Sequence, residues 1–460
     1  MEPQVIKMYA AREQIYPREA KGRYATWRWV CVWLTQLAFY GLPWLTWNGR
    51  QALLFDLTTR KFYIFGVVLW PQDFIYLAAL LIICAYLLFL VTAIAGRVWC
   101  GFSCPQTVYT EIFLWVERRI EGTRSARMAL DKQGPSLRKA FKKTAKHLVW
   151  GAIALWTGFT FVGYFTPIKE LAHSVTTLNF GPWEWFWVLF YSLATYGNAG
   201  WLREQVCKYM CPYARFQSAM FDQDTLIITY DAKRGEPRGA LSKKAGNNAK
   251  LGDCIDCTLC VQVCPTGIDI RNGLQYECIG CAACVDACNS VMDKVDRPRG
   301  LVRYSTDHAM ENNFNSQQIR RRAMRPRVLI YTSILALIII AVCASLALRT
   351  PLKMDVIRDR GSMGREVEDG MIENVYRLQI MNTSEQSQSF RISVSGLPGL
   401  TLLTRDEVTL QPTETLGWPI RLRVPHGVGE KGSNKIAIEL QSLDDPSLHV
   451  RENAVFIVPR

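Results

Sequence analysis

The chain has 460 residues, 49% of them hydrophobic, and a formal net charge of +14. That length allows about three domains. The apolar residues gather in long uncharged runs, which excludes an ordinary soluble enzyme, and the basic excess falls between those runs, so no nucleic-acid partner is expected.

Residues 1–26 form a basic segment with Lys7, Arg12, Arg18, Lys21 and Arg23, followed by Arg28. Six basic residues and about 27 positions thus precede the first apolar core, which is unlike a cleaved signal peptide. A four-helix membrane domain is expected over 27–215. Its spans read Trp29–Gly49, interrupted by Pro43 and flanked by Trp27, Trp44 and Trp47; Phe74–Gly96; His147–Ile168; and Trp185–Leu202, which is short and holds Asn198. Within 328–348, Val328–Leu348 reads as a fifth span. One such run is as well explained by a buried core helix; five together are not.

Loop charges orient the spans. The loop after the second carries Arg118, Arg119, Arg124, Arg127, Lys132, Arg138, Lys139, Lys142, Lys143 and Lys146. The long loop before the fifth ends in Arg320, Arg321, Arg322, Arg325 and Arg327. The remaining loops hold Arg50, Arg60 and Lys61 in one, and Lys169 alone in the other. The N-terminus and residues 216–327 are therefore expected in the cytoplasm, and 349–460 outside.

Two motifs repeat at the inner ends of the spans. Cys100-x3-Cys104-Pro105 follows the second span, and Cys207-x3-Cys211-Pro212 follows the fourth. Proline favours the first helical position, so Cys104 and Cys211 are expected to cap the helices that follow. Gln106–Ile120 reads as one such amphipathic helix. A helix N-terminus, with Arg97, Arg203 and Lys208 nearby, is expected to lower the thiol pKa values. Soft thiolates select Cu(I), zinc or iron–sulfur. Three readings stay open for Cys100, Cys104, Cys207 and Cys211: a redox-active copper or thiol site, a further metal or cluster site, or packing at a helix corner. Met210 could add a thioether but reads more simply as packing. Cys31, Cys84 and Cys343 lie singly inside spans and read as small apolar residues.

Within 216–327, residues 233–250 read as a flexible linker. Eight cysteines follow, in the segment 250–295. They read Cys254-x2-Cys257-x2-Cys260-x3-Cys264-Pro265 and Cys278-x2-Cys281-x2-Cys284-x3-Cys288. Tandem runs of this form hold two [4Fe-4S] clusters, three thiolates from one loop joining the fourth from the other. Cys254, Cys257, Cys260 and Cys288 are then ligands of one cluster, and Cys278, Cys281, Cys284 and Cys264 of the second. Gly267 and Gly280 are expected to let backbone pack close to inorganic sulfide. Asn289 stands where proline is usual. Two zinc sites would also use eight thiolates, but the spacing and Pro265 favour iron–sulfur. The cytoplasm keeps such thiols reduced.

Histidine is scarce: His147, His173, His308, His426 and His449. No span interior offers a pair, so no haem is expected. Residues 301–318 are polar and return the chain to the membrane. The tail holds short alternating runs at Val375–Ile380, Phe390–Val394, Ile420–Val424, Lys435–Leu440 and Ala454–Val458. About seven strands over roughly 100 residues indicate an immunoglobulin-like β-sandwich. The expected fold class is thus mixed: five transmembrane α-helices, a two-cluster ferredoxin-like α+β domain, and a C-terminal all-β immunoglobulin-like sandwich.

This order of elements resembles the cytochrome c oxidase accessory protein CcoG family, also called FixG or RdxA, over nearly the whole chain. Trp99-Cys100-Gly101-Phe102-Ser103-Cys104-Pro105 and the added sandwich carry the resemblance more narrowly than the ferredoxin motif. It implies a bacterial inner-membrane enzyme that reduces Cu(II) to Cu(I) for a cbb3-type cytochrome oxidase. Cys100, Cys104, Cys207 and Cys211 would serve copper, and the eight ferredoxin cysteines the clusters. Implied partners are the oxidase or its copper-delivery proteins and a cytoplasmic electron donor; a homodimer is compatible with the sequence. The chain is also similar to the quinol-oxidising membrane ferredoxin of periplasmic nitrate reduction, which shares four spans, both motifs and the clusters but generally stops after the ferredoxin. A flavin-bearing relative from nitrous oxide reduction has a large outer domain before the spans that is not seen here. A third possibility is an assembly scaffold with structural clusters.

Overall fold

The computed structural model describes residues 14–177, 179–240, 251–359, 361, 364–367 and 370–459. Lys7 and Arg12 of the N-terminal segment, and 241–250 of the expected linker, lie outside them. The chain divides into two compact units, Met1–Leu54 with Tyr76–Ile339, and Phe55–Ile75 with Ile340–Arg460.

In the first unit α1 spans Arg23–Gly41. The expected span to Gly49 is corrected here. Pro43 has no N–H to continue the ladder, so the chain passes into a 3-10 turn over Leu42–Trp44. A tight hairpin follows, with β1 at Thr46–Trp47 and β2 at Arg50–Gln51. Asn48 and Gly49 turn it, both with positive φ (46° and 78°), the Asn-Gly signal of a two-residue hairpin. Helix α2 covers Phe74–Ala95.

Helices α3 (Val98–Phe102), α4 (Pro105–Ile120) and α5 (Arg124–Lys132) come next. Helix α6 covers Leu137–Val162, starting ten residues before the expected span because the Ser136 hydroxyl caps it by accepting from the Lys139 N–H at 3.2 Å. Helix α7 covers Ile168–Thr176 and α8 Pro182–Tyr196. Two π-helical turns, Gly197–Leu202 and Val206–Met210, carry the chain on to α9 at Pro212–Met220. Helices α6 and α8 pack closely because Gly158 has no side chain. A Cβ there would lie 2.4 Å from both the Ser192 hydroxyl and the Val188 carbonyl. Small residues at such a crossing are how apolar helices approach.

Among the described residues, Pro71–Ala95 and Pro326–Ala347 are the two helices long and apolar enough to cross a membrane. Helix α2 has no polar face, and Leu80 and Leu81 are half or more exposed. Such a surface requires lipid, and the protein is membrane-associated.

The ferredoxin segment is framed by a two-stranded antiparallel sheet that the sequence pattern did not announce. Strand β6 (Ile227–Tyr230) pairs antiparallel with β7 (Val302–Ser305), from Ile227↔Ser305 to Tyr230↔Val302. Between them lie α10 (Ala232–Gly235), α11 (Leu259–Gln262) and α12 (Ala283–Lys294). The start of the expected flexible linker is ordered instead. The Asp231 side chain caps α10, and the Gly239 N–H donates to the Cys254 carbonyl at 3.1 Å. Helices α13 (Asp307–Asn312), α14 (Ser316–Ala323) and α15 (Pro326–Ala347) follow.

Strand β3 (Leu53–Asp56) begins in the first unit and ends in the second, where β4 (Lys61–Ile64) and β5 (Val67–Leu69) complete a three-stranded sheet. The tail supplies β8 (Leu352–Arg358), β9 (Arg365–Glu366), β10 (Ile372–Asn382), β11 (Gln388–Ser395), β12 (Thr401–Leu402), β13 (Glu407–Leu410), β14 (Thr415–Val424), β15 (Gly432–Ser442) and β16 (His449–Val458). They make two sheets, β12-β14-β10-β8 with β9 on β10, and β13-β11-β15-β16. Alternate residues of both face one core that includes Tyr376, Leu378, Phe390, Ile438 and Phe456, all fully buried. This is the expected immunoglobulin-like sandwich.

Candidate redox site

The eight ferredoxin cysteines line two neighbouring cavities. Cys254, Cys257, Cys260 and Cys288 surround one, walled by Tyr230 and Met292. Cys264, Cys278, Cys281 and Cys284 surround the other, where Cys260 also reaches the wall. The two loops are built alike. Thr258 (φ 56°) follows Cys257 and opens α11; Ala282 (φ 57°) follows Cys281 and opens α12. A left-handed turn by a residue other than glycine costs about 1–2 kcal/mol. It recurs here because it swings the third cysteine, Cys260 or Cys284, back over the loop.

Four soft donors around each cavity fit a [4Fe-4S] cluster. A zinc ion would need its sulfurs about 2.3 Å from a single point. Among the described residues no three His, Cys, Asp or Glu side chains converge in that way. Burial pushes the Cys260 and Cys278 thiols up to about 12 and Cys288 to about 11. Such groups lose their protons readily only to a cationic centre. Arg28, counted from sequence only as a loop charge, opposes the burial that raises the Cys281 thiol pKa. It is also paired with Glu111 at 2.5 Å.

The repeated motifs sit where the ferredoxin segment meets the helices. Cys104 and Cys211 are the N-cap residues of α4 and α9, with Pro105 and Pro212 at the first helical positions. Cys100 lies in α3 and Cys207 in the second π-helical turn. Gln106 joins the two halves by donating to the Asn198 carbonyl at 2.9 Å and the Arg203 carbonyl at 3.1 Å. Cys100 bonds to the Gln217 side-chain oxygen at 3.3 Å and packs against the apolar cluster that includes Ile279 and Cys281. The four thiols sense one another electrostatically.

The expected lowering of the thiol pKa is corrected for Cys100, Cys104 and Cys207. Burial pushes Cys100 up to about 12, its thiol neighbours adding and Arg97 opposing. Cys207 rises to about 11, again first through burial. Burial raises Cys104 too, outweighing the backbone N–H groups of Gln106 and Thr107. Arg203 does not attend the thiols, because its guanidinium donates to Glu117 at 2.8 Å. Met210 is 60% exposed and is not packed as expected. No three of these side chains form a single-ion site among the described residues.

Beside the motifs lies a buried charge network. Glu117 meets Arg127 at 3.0 Å, Arg203 at 2.8 Å and Lys146 at 3.5 Å. Glu121 takes Lys146 at 2.9 Å and Lys143 at 3.0 Å. Much of the basic loop after α2 is thus neutralised internally. Gly267 and Gly280 do have positive φ, but a Cβ at each would meet Ile15 and the Arg97 backbone respectively.

Three family descriptions match the chain: a 4Fe-4S dicluster domain over 202–307, a 4Fe-4S binding domain over 77–123, and the IG-like fold at the C-terminus of FixG over 342–459. The nitrogen fixation protein FixG of Rhizobium meliloti is 36% identical over 489 residues, covering 97% of this chain and 92% of that protein. Protein RdxA of Cereibacter sphaeroides is 40% identical over 85% of this chain and 84% of its own length. Protein RdxB of the same organism is 39% identical over 90% of this chain and 89% of its own length. A crystal structure of a FixG-related protein from Vibrio parahaemolyticus is 25% identical and covers 24% of this chain and 98% of its own, with a TM-score of 0.22.

Proposed function

Because the chain belongs to the FixG/RdxA family, an iron–sulfur electron-transfer family, we propose that it is a membrane-bound cupric reductase. It reduces Cu(II) to Cu(I) for copper insertion during assembly of a cbb3-type cytochrome oxidase. Five helices cross the inner membrane, with the ferredoxin segment in the cytoplasm and the sandwich in the periplasm. The observation that carries this reading is the packing of Cys100 against the apolar cluster that includes Cys281. It brings the first repeat beside a cavity with four thiols of its own, and Gln106 ties the second repeat to the first.

Clusters held by Cys254, Cys257, Cys260 and Cys288, and by Cys264, Cys278, Cys281 and Cys284, supply one-electron chemistry when bound. The chain's own part is placement. The αL turns at Thr258 and Ala282 aim the thiols, and the apolar walls exclude water. Cys100, Cys104, Cys207 and Cys211 offer copper soft ligands that favour Cu(I) over Cu(II). Changing all four to Ser should abolish Cu(II) reduction by the purified, chemically pre-reduced protein, measured with a Cu(I) chelator. Undiminished reduction would remove copper from this site.

A second reading makes the chain quinol-linked. A polar cavity favours it, lined by Glu117, Lys146, His147, Trp150, Arg203 and Glu204. There the His147 ring bonds to the Tyr196 hydroxyl at 2.7 Å. Quinol-dependent reduction of the clusters in detergent-solubilised protein would support it.

A further inference from the structure

The two cluster cavities differ in what they touch. The Cys254 cavity has Cys257 in its lining, and Cys257 is exposed. The other is pressed onto the first motif, backbone against backbone. A Cβ on Gly101 would lie 2.7 Å from the Cys281 Cα, 2.8 Å from its nitrogen and 2.8 Å from the Ile279 carbonyl. No side chain can occupy that place unless the loop retreats. From the opposite side, a Cβ on Gly280 would lie 3.1 Å from the Arg97 carbonyl carbon. Arg97, itself buried, clamps the contact by donating to the carbonyls of Tyr276 and Ala214. Tyr276 lies just before Cys278, and Ala214 just after Cys211. One arginine therefore holds together the second cysteine loop, the first motif and the helix that follows the second motif.

We propose that electrons leave the ferredoxin segment only through the Cys264, Cys278, Cys281 and Cys284 site, and that Gly101 is the positioning residue for that exit. The Cys254, Cys257, Cys260 and Cys288 site, with Cys257 exposed, is the entry from the cytoplasmic donor. The inference rests on the copper reading above. With clusters bound and Cu(II) held by motif thiols, the exit cluster would be oxidised by one electron and the copper reduced to Cu(I). The entry cluster would then re-reduce the exit cluster at the expense of the cytoplasmic donor, and the thiol protons would leave when copper binds. Glycine at 101 fixes how close the exit site comes to those thiols, and its neighbours are main chain that cannot swing aside as a side chain would.

The test is Gly101→Ala in the full-length protein in detergent. Gly151→Ala serves as control, because a Cβ there meets nothing within 4 Å. Both variants should retain full iron content. In Gly101→Ala, amide hydrogen exchange across 276–284 should speed up. Reoxidation of the pre-reduced protein by Cu(II) should slow severalfold, because electron transfer weakens as the two centres move apart. Gly151→Ala should match the parent in both readouts. Arg97→Gln loosens the same contact without adding volume and should slow reoxidation likewise. It decides the matter if Gly101→Ala fails to load iron. Parental reoxidation rates in either loaded variant, while the four-cysteine Ser variant is inactive, would overturn the exit assignment and leave the copper reading standing. Parental rates in the four-cysteine variant as well would overturn the copper reading itself.

Discussion

Glu117 holds three cations, and all four side chains are largely out of water. Burial alone would raise its pKa, but Arg203, Lys146 and Arg127 together hold it below the ordinary 4.5. A carboxylate with a depressed folded-state pKa stabilises the fold fully above its unfolded value, and that contribution fades as pH falls below it. Glu117→Gln should therefore cost about 3–5 kcal/mol at neutral pH, because it leaves buried cations unpaired. The variant's melting midpoint in detergent should fall at neutral pH and converge on the parent's below about pH 4. A midpoint difference that stayed constant with pH would show that the loss is one of packing. At this scale the sequence told part of the story. The prolines after Cys104 and Cys211 announced two helix caps, because a missing N–H is a local property. The raised pKa of the Cys104 thiol was not legible. It depends on burial in the folded chain, which spacing does not encode. Nor did Arg28 betray its approach to Cys281 from 253 positions away.

Elements were most legible where one strong signal acts alone. Helices α2 and α15 are apolar throughout and lie where the hydropathy places them. The five longest strands of the tail after β8 were announced by alternation, whereas β9 and β12, of two residues each, carry no period to read. Helix α1 shows how two signals compete. Apolar content alone would extend it to Gly49, but Pro43 and the Asn48-Gly49 turn end it eight residues earlier, at Gly41. The contact of α6 with α8 could not be foreseen, since one glycine in a helix says nothing of its neighbour. It does make a prediction. The Cβ of Gly158→Ala would strike the Val188 carbonyl, which belongs to helical main chain, so the two helices must part. The expected loss is about 1–3 kcal/mol, the usual range for overpacking. It should appear as a lower midpoint in thermal unfolding, with iron content unchanged at low temperature. A midpoint equal to the parent's would mean that α8 slides freely past α6.

The whole molecule turns on the sidedness of its apolar helices, and each unit speaks to it separately. In the first unit the Arg325 guanidinium, just before α15, donates to the Ala93 carbonyl at the end of α2 at 2.6 Å. Arg325 also pairs with Asp222 at 2.8 Å. In the second unit Asp73, just before α2, is buried. It pairs with Arg349 at 2.6 Å, just after α15, and with Lys353. Within each unit, then, the end of one helix meets the start of the other, which suits the two antiparallel crossings proposed above. Arg320, Arg321 and Arg322 share the Arg325 side, and an excess of basic residues marks the cytoplasm. The topology proposed above accordingly puts Asp73 and the sandwich in the periplasm. Protease added to intact spheroplasts should remove 351–460 and leave a membrane-bound remainder that still holds iron. Inverted vesicles should instead lose the ferredoxin segment and keep the sandwich. The reverse pattern would put the cluster cysteines in an oxidising compartment and undo both the topology and the route proposed for the electrons. A sandwich protected in both preparations would contradict α15 as a crossing, and Asp73 would then be pairing its two cations on the side that holds the basic loops.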